Sequence, residues 1–107
     1  MSSDKLTLIQ ALQADLKGRR RKVSVLGHDV WVSPFTVEEE NLLSEREPKA
    51  GAARYVEILI MKCTDESGAP VFSRNDKDLL INGVPSDHLS RLVDAITGPA
   101  IAAQAKN

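Results

Sequence analysis

Two β-branched runs lie close together near the N-terminus, Lys22-Val23-Ser24-Val25-Leu26 and Asp29-Val30-Trp31-Val32-Ser33, and Pro34 follows the second. Proline has no N–H to give to a ladder, so the second strand must stop there. The Gly27-His28 pair between the runs reads as a two-residue loop of type II′. No other part of the chain reads as strand, so this hairpin has no larger sheet to join. A lone two-stranded hairpin is marginal in water. It must lie on a helix, or on a hairpin from a second subunit.

Helical periodicity accounts for the rest. Leu6, Ile9, Leu12 and Leu16 fall close to one face of a helix that ends at Lys17-Gly18, with Ser3 as its expected N-cap. This helix has few neighbours to pack on, so it should be the least anchored element or should pack on another chain. After the hairpin, Thr36-Val37-Glu38-Glu39 has the form of a capping box. Its helix carries Leu42 and Leu43 and fades near Pro48. Ala52 to Cys63 is apolar around most of its circumference, which marks it as the central buried helix. Val71-Phe72 should fold back as an apolar anchor. Ser73 should cap a short helix through Ile81, with Asp76 at its third position. Ser86 opens the last strong helix, where Leu89, Leu92, Val93 and Ile96 recur at i, i+3, i+4 and i+7 until Gly98-Pro99.

The reading is therefore α+β: one mostly helical domain with an N-terminal β-hairpin. Its parts are an N-terminal helix (1–18), the hairpin (19–35), a helical core (36–98) and a flexible tail (99–107). A chain of 107 residues with 42% hydrophobic and 27% charged content suits one globular core. No apolar run approaches the length of about 20 residues that spans a bilayer. The N-terminus lacks the layout of a signal peptide. One cysteine excludes an internal disulfide and fits a reducing cytoplasm.

Residue inventory supplies little chemistry. Cys63, His28 and His88 lie in three different elements and form no metal-ligand pair, so no metal or other cofactor is expected. Cys63 sits in the most apolar helix and reads as a small buried hydrophobe. Asp87-His88 lacks a nucleophile elbow and reads as a solvated helix face, and His28 reads as a turn residue. Glu38, Glu39 and Glu40 point about 100° apart on a helix and cannot converge on one ion. The isolated glycines form no phosphate cradle. No catalytic residue, and no small-molecule substrate, is expected.

Charge is segregated: residues 1–35 carry +3 and residues 36–107 carry −4, for a net −1. Arg19, Arg20, Arg21 and Lys22 form a basic cluster suited to an acidic protein surface. Aromatic content is 4%, and no aromatic residue interleaves with that cluster, which argues against a single-strand nucleic-acid platform. Trp31 is the best candidate for an interface anchor, and Phe35 beside the hairpin joins it. The segregated charge and the uncovered hairpin together suggest self-association into a homo-oligomer.

Several passages resemble a known family. They are Lys5-Leu-Thr-Leu-Ile-Gln-Ala-Leu, the passage Trp31-Val32-Ser33-Pro34-Phe35-Thr36-Val37-Glu38-Glu39, the stretch Lys62-Cys63-Thr64-Asp65-Glu66-Ser67-Gly68-Ala69-Pro70-Val71-Phe72, and a helix opening Pro-Ser-Asp-His-Leu. Taken together the chain resembles the tail assembly chaperones of long-tailed bacteriophages and prophages, from about Lys5 onward. The turn Leu26-Gly27-His28 departs from the more glycine-rich turn of that family. The resemblance implies a non-enzymatic assembly factor in the cytoplasm of the bacterial host. Such a factor coats the tape measure protein and helps recruit tail tube protein subunits. It also implies a longer form made by ribosomal frameshift. Ala105-Lys106-Asn107 can be encoded as GCA-AAA-AAC, which contains a slippery heptamer, at a position where an extension would spare the core. Two alternatives are a small structural component of the tail or head-tail connector, and a small nucleic-acid-binding regulator.

Overall fold

In the computed structural model the backbone is described for residues 2–106 and the side chains for residues 6–97. The order is α1 (Ser2–Gly18), β1 (Arg21–Val25), β2 (His28–Val32), α2 (Val37–Arg46), α3 (Ala52–Lys62), a 3₁₀ turn (Arg74–Asp76), α4 (Lys77–Asn82) and α5 (Ser86–Lys106). The fold is α+β, as the periodicities require: helices pack on one antiparallel hairpin.

The hairpin register pairs Lys22 with Trp31, Val23 with Val30, and Val25 with His28. The loop is therefore Leu26-Gly27, one residue earlier than Gly27-His28. Both loop residues have positive φ, 51° and 82°. Two positive φ values belong to a type I′ turn, whose twist matches that of the flanking strands. Glycine adopts this at no cost, whereas leucine does not. The register puts Val23, Val25, Val30 and Val32 on one face, with Val30 and Val32 buried.

That face lies on α5, so a helix of the same chain supplies the hairpin's cover. The other edge of β2 is also occupied. Trp31 N–H donates to the Thr64 carbonyl at 2.8 Å, and Thr64 N–H donates back to the Trp31 carbonyl at 2.9 Å. The segment following α3 thus adds a single bridge to the hairpin's edge, which removes part of the marginality of a free hairpin.

The expected helices form where capping and periodicity place them. Thr36 Oγ1 accepts from Glu39 N–H at 3.2 Å, and Glu39 Oε1 accepts from Thr36 N–H at 2.9 Å, a complete capping box. Ser73 donates to Asp76 through its N–H at 2.8 Å and its hydroxyl at 3.3 Å, and α4 follows. Helix α3 is the most enclosed, with no exposed residue from Ala53 to Cys63. Val56, Leu59 and Cys63 join Val30, Val32, Leu80, Leu89, Leu92 and Ile96 in one core. Helix α5 differs from expectation by continuing through Gly98-Pro99 to Lys106. Alanines at 100, 102, 103 and 105 are strong helix formers, which opposes the break at proline. The side chains of the expected tail, and that of Ser3, lie outside the described residues.

The apolar pattern of α3 concealed two buried charges. Glu57 is 0% exposed and Lys62 is 7% exposed. Glu57 accepts from Arg46 at 3.2 Å and from Lys77 at 3.1 Å, and Arg74 lies 3.8 Å away. One carboxylate thus joins α2, α3 and the 3₁₀–α4 segment. Burial alone would raise its pKa. Hydrogen bonds from Lys77 and Arg46, with the charges of Lys77 and Arg74, outweigh that and hold it below the usual carboxylate range. Lys62 donates to Glu39 at 2.7 Å. For Glu39 too, burial raises the pKa, and the Lys62 and Thr36 hydrogen bonds lower it further than burial lifts it.

A carboxylate with a depressed folded pKa adds stability that is present above its unfolded pKa and lost as pH falls through the folded value. Urea unfolding is therefore expected to show a midpoint that drops once pH falls below about 4.5, where free carboxylates protonate. Glu57→Gln should cost about 2 kcal/mol at neutral pH, because the Lys77 and Arg46 hydrogen bonds lose their charged acceptor, and should flatten the acid slope. An unchanged midpoint in that variant would contradict the network's role.

Candidate protein-interaction surfaces

The basic cluster begins where α1 meets the hairpin. Arg19 Nε pairs with Asp15 one helical turn back, at 3.0 Å. Arg20 Nη2 donates to the carbonyls of Asp65 and Glu66, each at 3.0 Å. Its guanidinium also lies 4.5 Å from the centre of the Trp31 ring. Arg20 therefore fastens the loop after α3 onto the outer face of the hairpin through two hydrogen bonds and a cation–π contact. Lys22, opposite Trp31 on the same face, lies 4.0 Å from Asp29. Arg21 makes no ion pair among the described residues.

The loop that Arg20 holds is itself folded. Asp65 Oδ1 accepts from Ser67 N–H at 2.9 Å, Ser67 Oγ at 2.6 Å and Ala69 N–H at 3.0 Å. The Ser67 hydroxyl and the Ala69 and Ser67 amides hold the Asp65 carboxyl below its ordinary pKa. Gly68 has φ of 96°, which its lack of a side chain permits. Asp65, Ser67 and Gly68, prominent in the sequence, are thus the residues that shape this turn.

Trp31 is half-buried under Arg20, and Phe35 is half-buried against the core. Lys62 Nζ lies 5.6 Å from the Phe35 ring centre. Arg19 and Phe35 share a small depression with Pro34, Glu40, Ile96 and Thr97. The structure thus gathers the six candidate residues into the hairpin's α1-proximal end and its surroundings, with Arg20 and Trp31 in direct contact. Arg19, Arg20 and Lys22 have partners within the chain.

A second surface was not singled out by sequence. Val25, Leu26, Val71, Phe72, Val84 and Leu89 are among the residues that line an apolar groove of about 370 Å³ at the turn end of the hairpin. His88 also lines it, and its Nδ1 is buried without a hydrogen-bond partner among the described residues. His88 is therefore half-buried rather than on a solvated face, while His28 is exposed. The groove draws on the hairpin turn, the segment after α3 and α5. Such separation in sequence hides it from a periodicity scan. Cys63 is wholly buried, and burial pushes its thiol up to about 12, so the reactive thiolate is strongly disfavoured.

Among the described residues no group of three or more His, Cys, Asp or Glu side chains is placed to hold a metal ion, and no helix is long and apolar enough to cross a membrane. No protein-family model, curated protein or solved structure matches this chain.

Trp31 is the only tryptophan, so its fluorescence reports on the surroundings of one side chain, which include the Arg20 guanidinium. Arg20→Ala is expected to shift Trp31 emission to the red and to cost about 1 kcal/mol, the scale of an exposed cation–π and hydrogen-bond pair. Arg21→Ala should move stability by less than about 0.5 kcal/mol. Equal effects from the two variants would remove the special role assigned to Arg20.

Proposed function

We propose that this chain is a non-enzymatic assembly factor of the tail-chaperone kind, working in the cytoplasm of a bacterial host. The observation that carries an interaction role is the coexistence, in one small chain, of an apolar groove and an exposed leucine-rich helix. Leu8 and Leu12 of α1 are 60% and 61% exposed, and Leu26 at the groove is 76% exposed. Apolar surface left in water on this scale marks binding surfaces. What it binds is drawn from the resemblance: the tape measure protein first, tail tube protein second, and further copies of itself.

The resembling residues support this reading from another side. The stretch from Cys63 to Phe72 and the Trp31 to Glu39 passage are far apart in sequence. They meet through the Trp31–Thr64 bridge and the Arg20 clamp. The two passages thus form one structural unit, as residues serving one role would.

Interrupting the coding sequence in the phage or prophage that carries it is expected to give filled heads without tails. Mass spectrometry of purified wild-type particles should lack this chain. Stoichiometric amounts in the particle would favour a structural tail component instead. Codons at Ala105-Lys106-Asn107 forming a slippery heptamer, with an open −1 frame beyond, are expected for the longer form. Codons unable to slip would remove that form from the proposal.

A further inference from the structure

Helix α1 is exposed along its whole described length, Leu6 to Gly18. Its large apolar residues, Leu6, Leu8, Ile9, Leu12 and Leu16, fall within about half of the helical circumference. Leu8 and Leu12, one turn apart, form the spaced pair by which an amphipathic helix enters a groove.

The groove carries two signs of a surface completed from outside. Leu26 sits in the left-handed region at φ 51° and is 76% exposed. Asparagine or glycine suits that backbone better, and leucine there costs both conformational and hydration free energy. A cost on both counts at one position points to a contact that the isolated chain lacks. His88 Nδ1 is buried in the same groove without a partner among the described residues, a deficit that an incoming polar side chain removes.

We propose that α1 of one copy docks its leucine face into the apolar groove of a second copy. The chain's own α1 is excluded by its hinge. Only Arg19 and Arg20 separate α1 from β1. Their N–H groups continue the helical ladder, Arg19 to Asp15 at 3.0 Å and Arg20 to Lys17 at 3.3 Å. The Arg20 side chain is clamped to the loop carbonyls. The groove lies at the turn end of β1, about 17 Å from that hinge at 3.4 Å per strand residue. Returning α1 to it would require the hinge to reverse and the clamp to break. A short hinge beside an unfilled groove instead favours exchange between copies. Contacts of this kind are head-to-tail, so they either extend or close reciprocally. The proposal does not depend on the tail-assembly reading and can hold if that reading fails.

Sedimentation velocity over a concentration series tests it. The wild-type mass is expected to rise with concentration and to persist at high salt, since apolar burial is not screened. Leu8→Glu/Leu12→Glu and Val71→Glu/Val84→Glu change exposed side chains, and each should weaken association at least tenfold while leaving the circular dichroism melt cooperative. Mixed in equal amounts, the two variants should form a species of one copy of each and go no further. Leu26→Asn keeps the test valid if a glutamate variant misfolds. It should melt at the same or a higher temperature than wild type, yet associate more weakly. A wild type that stays monomeric at every concentration overturns the proposal. So does failure of the two folded variants to pair. A monomer destabilised by the α1 substitutions would place α1 in its own groove and overturn it as well.

Discussion

The fold is organised around a charge with no access to water. Glu57 lies in the middle of the most apolar helix, and isolating a carboxylate there would cost several kcal/mol. It is tolerable only because Arg46, Lys77 and Arg74 approach it from α2, α4 and the turn between α3 and α4. One of these cations is fixed in turn: Lys77 also pairs with Glu47, whose carbonyl accepts from Arg54 at 2.9 Å. Hydrophobic burial of Val56 and Leu59 draws α3 into the core but tolerates many rotations and slides of its neighbours. A carboxylate that must meet several cations tolerates few. The network therefore sets the placement of α2 and α4 against α3, and that placement carries Leu80 into the core and Phe72 against it.

A second polar device aligns the hairpin with this helical body. Arg20 reads two carbonyls of the loop after α3 while covering Trp31, and Thr64 pairs with the Trp31 backbone. The loop needs its own rigidity for this, which Asp65 supplies by accepting three hydrogen bonds within five residues. From the other side Arg91 of α5 donates to the Ser24 carbonyl at 3.2 Å. The hairpin is thus held at its valine face by packing, at its β2 edge by backbone pairing, and on its strands by two arginines.

What was legible in the sequence is what local physics decides. The Thr36–Glu39 box, the Ser73–Asp76 cap, the α3 and α5 apolar faces and the valine hairpin each follow from a spacing of a few residues. The loop position was misjudged because glycine at Gly27 suits either the first place of a type II′ turn or the second of a type I′ turn, and only strand register chooses. Glu57 and Lys62 were invisible for a different reason. Their burial is decided by partners 11 to 23 residues away, which no periodicity encodes. The basic cluster was legible as charge, yet its use was not: Arg20 and Arg21 are adjacent in sequence, and only the tertiary fold separates a clamp from a surface cation.

That internal use of charge bears on how such a chain recognises anything else. Segregation of +3 and −4 halves suggests electrostatic docking, but many of the cations named are already answered: Arg19 by Asp15, Lys22 by Asp29, Lys62 by Glu39, and Arg46, Arg74 and Lys77 by Glu57. Exposed ion pairs contribute little and are screened in salt. Unspent free energy lies elsewhere, in the leucines of α1, in Leu26 and in Val71 and Val84, where apolar atoms remain in water. At about 25 cal/mol per Å² those atoms outweigh what the exposed charges can return. On the proposed docking, recognition is governed by the shape and periodicity of an apolar helix meeting an apolar groove, and charge is left to set orientation and rate.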